Sequence, residues 1–194
     1  MLGRIFRVFL VDDDAVVRHS LHALVDRDSE LEVVGHAASS EQALAQVPVC
    51  DPDVALLDDG LPDGTGYDLC RELRAQLPTL QCLIFTSFGL RHEMLDALHA
   101  GASGCVVRNA RAAEVLTAIK SAAVGDFLFD TGIATAWLAG QEDFLDIDST
   151  LTQQESELLR LIAAGHTDRQ IASQMRYDDS TFRACLFGLI TKAR

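Results

Sequence analysis

The sequence predicts an α/β fold, a five-stranded parallel doubly wound sheet, joined to a small all-α helix-turn-helix domain. Three observations predict it. Across the first 125 residues short apolar runs alternate with amphipathic stretches, five of each. Each run is bounded by Asp, Gly or Pro, which suits buried parallel strands. Beyond an acidic stretch, the last 45 residues hold three closely spaced helices with their own caps.

The strands are expected at Phe6–Val11, Leu31–Gly35, Val54–Leu57, Cys82–Thr86 and Gly104–Val107, each too short to be a helix. Between the first two, Val16, Leu21, Leu24 and Val25 make the apolar stripe of a helix. A second helix begins at Ser40, and Leu69, Leu73 and Leu77 repeat at four residues in a third. Met94, Leu95 and Leu98 mark a fourth, and Ala112–Ala123 is an alanine-rich fifth. Strand and helix alternating in this way place a functional crevice at the carboxyl ends of the strands. The first domain is expected over residues 1–126. Residues 127–149 read as an acidic linker, with room for a short helix over Phe127–Leu138. The second domain, residues 150–194, opens with a capping box in which Thr152 caps and Glu155 reaches back. Gly165 ends that helix, Thr167 caps the next, and Asp178 caps a third over Ser180–Lys192.

Composition narrows the function. The 194 residues are 48% hydrophobic, enough for a core, yet no apolar run is long enough to span a bilayer. The short apolar run ending at Val11 is too brief for a secretory signal. Five scattered cysteines without metal-ligand spacing read as reduced thiols of a cytoplasmic protein. The net charge of −13 is uneven: residues 150–194 carry +1 and the rest −14. Nucleic acid can therefore be met only through the C-terminal piece.

The chemical signal is the set of carboxylates at strand ends. Asp12, Asp13 and Asp14 follow the first strand, and Asp58 and Asp59 follow the third. These ends are neighbours in the expected topology, and mutually repelling anions held together call for a cation. Oxygen ligands at a partly open site suit Mg²⁺. Thr86 ends the fourth strand with a hydroxyl, and Arg108 after the fifth supplies a fixed positive charge. Carboxylate, divalent ion, hydroxyl and cation together make a phosphoryl-transfer site with a protein carboxylate as nucleophile. The plainer reading, that Asp12–Asp14 only cap the first helix, leaves the agreement among four strand ends unexplained. A haloacid-dehalogenase-type phosphohydrolase needs a second acid two residues after its nucleophile, where Gly60 stands.

Phe9-Leu10-Val11-Asp12-Asp13, Leu57-Asp58-x-x-Leu61-Pro62-Asp63-x-x-Gly66, Thr86-Ser87 and Gly101-Ala102-Ser103-Gly104 together resemble the receiver domain of bacterial response regulators. Leu151-Thr-x-x-Glu155, Gly165-x-Thr167 and Ile171-Ala172 resemble the LuxR-type helix-turn-helix, and the pairing is similar to the NarL/FixJ class. The resemblance implies Asp58 as phosphoacceptor, because the Leu61-Pro62 and Gly66 offsets fix the register. It also implies Asp12, Asp13 and Asp58 as Mg²⁺ ligands, and Thr86 as a hydroxyl that turns towards the phosphoryl group. Implied partners are a sensor histidine kinase, DNA and a second chain in a homodimer or heterodimer, with no membrane. The chain is expected to regulate transcription and not to be an enzyme.

Two positions depart from the family pattern. Arg108 stands where the family has lysine, and a planar guanidinium is not equivalent to the compact ammonium expected between the phosphoryl oxygen and Asp13. Cys105 stands where the family has an aromatic ring that reports the Thr86 movement. In the last helix, Phe182, Cys185, Leu186, Leu189 and Ile190 are expected to face inward. Ser180, Arg183, Ala184, Phe187 and Thr191 lie opposite, and the expected DNA contacts are Arg169, Ser180, Thr181, Arg183 and Lys192. Gly188 inside this helix and the lack of the last helix of such modules are expected to make DNA binding by the chain weak. The alternative function is a degenerate regulator, impaired in its phospho-switch and acting through protein–protein interaction.

Overall fold

A computed structural model describes residues 4–87, 96–97, 99–126, 151–166 and 168–191; in the last helix it leaves out the side chains at 179, 180, 183, 187, 190 and 191. The chain divides into two compact units, Met1–Leu128 and Phe129–Arg194. The first unit runs β1 (Phe6–Val11), α1 (Ala15–Val25), β2 (Leu31–Ala37), α2 (Ser40–Cys50), β3 (Val54–Asp58), β4 (Gly60–Leu61), β5 (Gly64–Thr65), α3 (Gly66–Gln76), β6 (Gln81–Thr86), β7 (Gly104–Val107) and α4 (Ala112–Ala123). Five strands pair in the order β2-β1-β3-β6-β7, every pair parallel. This is the expected α/β architecture. Of the helix expected around Met94, Leu95 and Leu98, only residues 96, 97 and 99 are described, and they are helical; the one expected at Phe127–Leu138 lies outside the described residues.

The sheet is covered on both faces because its strands are apolar at consecutive positions. Phe9, Val11, Ala55, Leu57, Cys82 and Ile84 join α2 and α3 in one buried cluster. Val8, Leu10, Val54, Leu56, Leu83 and Phe85 join α1 and α4 in the other. Alternate side chains of a strand point to opposite faces, so one strand serves both layers. Each fully buried Leu or Val removes enough apolar surface from water to stabilise by about 1.5–3 kcal/mol.

Three strands run further than the sequence suggested, β6 by one residue at its start, Gln81. β2 reaches Ala37 through a register shift opposite Val8 and Phe9. Gly35 then faces Phe9, and a Cβ there would lie 2.5 Å from the ring, so the irregularity uses the one residue without a side chain. β3 takes in Asp58, which stays in register with Phe85 of β6. The hairpin β4–β5, with Pro62 and Asp63 at its tip, was not expected. Asp63 accepts hydrogen bonds from Ser40 N (2.8 Å) and Glu41 N (2.9 Å), fastening the hairpin to the first turn of α2.

The second unit holds α5 (Gln153–Ala163), α6 (Asp168–Met175) and α7 (Asp179–Thr191), with α5 packed on both others. The capping box forms as expected: Glu155 N donates to Thr152 Oγ1 at 3.2 Å, and Thr152 N donates to Glu155 Oε2 at 2.7 Å. Gly165 follows α5 with φ 77°. Asp178 accepts from Thr181 N at 2.7 Å, as its capping role requires. α7 buries Phe182, Leu186 and Leu189 in the unit that also buries Leu158, Leu159, Ile162 and Ile171. Thr167, Lys192 and the side chains of Ser180, Arg183, Phe187, Ile190 and Thr191 lie outside the described residues. Among the described residues no helix is long and apolar enough to cross a membrane.

Candidate functional site

β1, β3, β6 and β7 lie side by side, so their carboxyl ends deliver one polar group after another to one crevice. Asp12 follows β1 and is 1% exposed; Asp58 ends β3 at 3%; Thr86 ends β6 fully buried. Arg108 follows β7, and its backbone N donates to Thr86 O at 2.7 Å. Of the three leading aspartates, Asp14 is used by the backbone: it caps α1 by accepting from Val16 N and Val17 N. That leaves Asp12 and Asp13 to the crevice. Asp12, Asp13 and Asp58 each offer an oxygen within 4.8 Å of the others.

Asp58 is held in place from below. Gly66 starts α3 so close to the end of β3 that a Cβ would lie 2.0 Å from the Asp58 carbonyl oxygen. The glycine of the Leu61-Pro62-Asp63-x-x-Gly66 pattern is thus a packing requirement.

The guanidinium of Arg108 bridges two of the acids. Nη2 donates to Asp58 Oδ1, and Nη1 lies 3.1 Å from Asp12 Oδ2. Asp13 is the neighbour expected for a lysine ammonium at this position; the guanidinium pairs with Asp12 and Asp58. The Phe85 ring, 5.0 Å from the guanidinium carbon, supports it from the side. Burial pushes the Asp58 carboxyl up to about 6, against the opposing pull of Arg108, with Asp59 and Asp12 adding to the rise. Burial also raises Asp12, opposed by its hydrogen bond from Asp14 N and by Arg108.

The donor set fits Mg²⁺. Three carboxylates supply hard oxygen ligands at a crevice with an exposed side at Asp13. Asp12 Oδ1 accepts from Asp14 N at 2.8 Å, whereas the buried Oδ2 accepts no hydrogen bond; Arg108 stands near it without the geometry for one.

Thr86 Oγ1 donates to Asp59 Oδ2 at 2.8 Å. The sequence places Asp59 among the strand-end carboxylates, but not its bond with Thr86. That bond comes from the strand register, in which Asp58 pairs with Phe85 and Asp59 lies alongside Thr86. Cys105 is half-buried and packs against the cluster that includes Leu57 and Ile84. In the second unit Thr181 is exposed, as is Arg169.

Residues 8–120 match the response regulator receiver domain family. The chain is 44% identical over 96% of its length to the DNA-binding transcriptional activator DevR/DosR of Mycobacterium tuberculosis, covering 87% of that protein. It is 27% identical to the response regulator VraR of Staphylococcus aureus, over 96% of this chain and 89% of that one. The crystal structure of a LuxR-family two-component response regulator from Aurantimonas sp. SI85-9A1 superposes with a TM-score of 0.65 at 30% identity, covering 71% of this chain and 99% of that one. The chain belongs to the two-component response regulators and carries their receiver domain.

Proposed function

We propose that Asp58 accepts a phosphoryl group from a sensor histidine kinase, with Asp12, Asp13 and Asp58 as the Mg²⁺ ligands. The observation that carries this reading is the convergence of these three carboxylates within 4.8 Å beside a cation that already pairs with Asp58 and Asp12. An Asp58 carboxylate oxygen attacks phosphorus, the P–N bond to the kinase histidine breaks, and the imidazole leaves. Bound Mg²⁺ would supply charge neutralisation for the transferring group. Arg108 supplies a second positive charge from the protein, and Gly66 and β3 keep the nucleophile fixed. Thr86 would then turn its hydroxyl to a phosphoryl oxygen.

The receiver domain occupies residues 1–126, a linker 127–149 and a LuxR-type helix-turn-helix 150–194. The second unit regulates transcription through DNA, with Arg169, Ser180, Thr181, Arg183 and Lys192 as contacts, in a cytoplasmic dimer. The 44% identity to a DNA-binding transcriptional activator supports this reading. No finding favours a degenerate regulator, and the chain is a regulator, not an enzyme for a diffusible substrate. Incubation with a small phosphoryl donor and Mg²⁺ is expected to add one phosphate, and Asp58→Asn to abolish it. Phosphate on Asp59, or addition that survives EDTA, would overturn the assignment.

A further inference from the structure

Thr86 brings to the strand ends the hydroxyl that the switch needs, and in this chain it is already engaged. It ends β6 fully buried, and its Oγ1 donates to the carboxylate of Asp59 at 2.8 Å. A hydroxyl has a single proton to donate, so a bond to Asp59 and a bond to a phosphoryl oxygen on Asp58 exclude one another. The acceptor is ionisable and the site partly buried, which makes this a strong bond to give up. Asp59 is held by its backbone on both sides: its N donates to Phe85 O at 3.2 Å, and its O accepts from Gly66 N at 3.1 Å. These bonds fix the Asp59 main chain beside Thr86, so its carboxylate can change position only by rotation of the side chain.

We propose that Asp59 is a positioning residue that latches the Thr86 hydroxyl away from Asp58 and thereby opposes the phosphorylated state. The inference rests on the reading of Asp58 as acceptor and of Thr86 as the hydroxyl that responds. Asp59 acts in two ways, by competing for the Thr86 proton and by placing a negative charge next to the incoming phosphoryl group.

Calorimetric titration of the full chain with beryllofluoride in saturating Mg²⁺ separates the two. Losing a hydrogen bond to a charged acceptor together with its charge is expected to tighten binding about tenfold in Asp59→Ala. In a Thr86→Val background only the charge remains to be relieved, and the gain is expected to fall to about threefold. Asp59→Asn keeps an acceptor of nearly the same shape, and should lie between wild type and Asp59→Ala. This variant also serves if the alanine chain does not fold. An equal gain in the wild-type and Thr86→Val backgrounds, Asp59→Asn equal to Asp59→Ala, or no gain in either variant would overturn the latch. Binding undiminished by Asp58→Asn would overturn the acceptor assignment instead, and loss of binding in every chain would overturn both.

Discussion

Asp58 titrates differently in the folded and unfolded chain, and the sign of the effect on stability follows. Its carboxyl is pushed up to about 6 by burial, whereas an unfolded aspartate titrates at about 3.9. The folded state therefore binds this proton more tightly. The favourable contribution is fully present below about pH 4 and is lost as pH rises through about 6, a difference of up to about 3 kcal/mol. Asp58→Asn lacks this titration while keeping an oxygen for Arg108. The unfolding free energy of wild type minus that of Asp58→Asn should fall between about pH 4 and 7, measured by urea titration at each pH. A difference that rises over that interval would show Arg108 outweighing burial. At this scale much of the site was legible, because Asp12, Asp58, Thr86 and Arg108 each sit at a strand end. The bond between Asp59 and Thr86 was not, because it comes from lying across from one another, and a cross-strand register is not written in either segment alone.

The elements depend on a few close approaches. α3 can begin directly after the β4–β5 hairpin only because Gly66 has no Cβ to strike the Asp58 carbonyl. Gly66→Ala is expected to destabilise the first unit by about 3 kcal/mol and to slow phosphorylation, since the clash is with the backbone of the proposed nucleophile. Urea unfolding and phosphate incorporation check both; unchanged values would mean that α3 moves aside freely. Strand existence was legible from apolar runs, and the caps Thr152, Glu155 and Asp178 from residue type. The length of β2 was not, because its last residues are held by pairing with β1 around the irregularity at Gly35. The hairpin was missed because strands of two residues leave no periodicity to read.

Over the whole molecule, charge separates the two parts of the chain: +1 over residues 150–194 and −14 over the rest. With Arg169, Arg183 and Lys192 as the cations of the proposed DNA face, each chain neutralises few phosphates. Each contact contributes about −0.9 to the slope of log affinity against log salt, so a chain with about three contacts should give a slope of about −3. Fluorescence anisotropy on a labelled duplex between low and moderate salt measures it. A much steeper slope would require phosphate contacts from residues beyond these three.

The bridge from Arg108 to Asp58 spans 50 residues of sequence, and this has a consequence during synthesis. β1, β2 and β3 are contiguous in the sheet, so Asp12 and Asp58 can be drawn together as soon as β3 is free of the ribosome. Their neutralising guanidinium is added about 3–10 s later at ordinary translation rates. For that interval Asp12 and Asp58 lack the Arg108 pairing of the finished chain, and only ions of the surrounding solution are left to screen them. Folding of the first three strands on the ribosome should therefore depend on divalent cations more than refolding of the finished chain does.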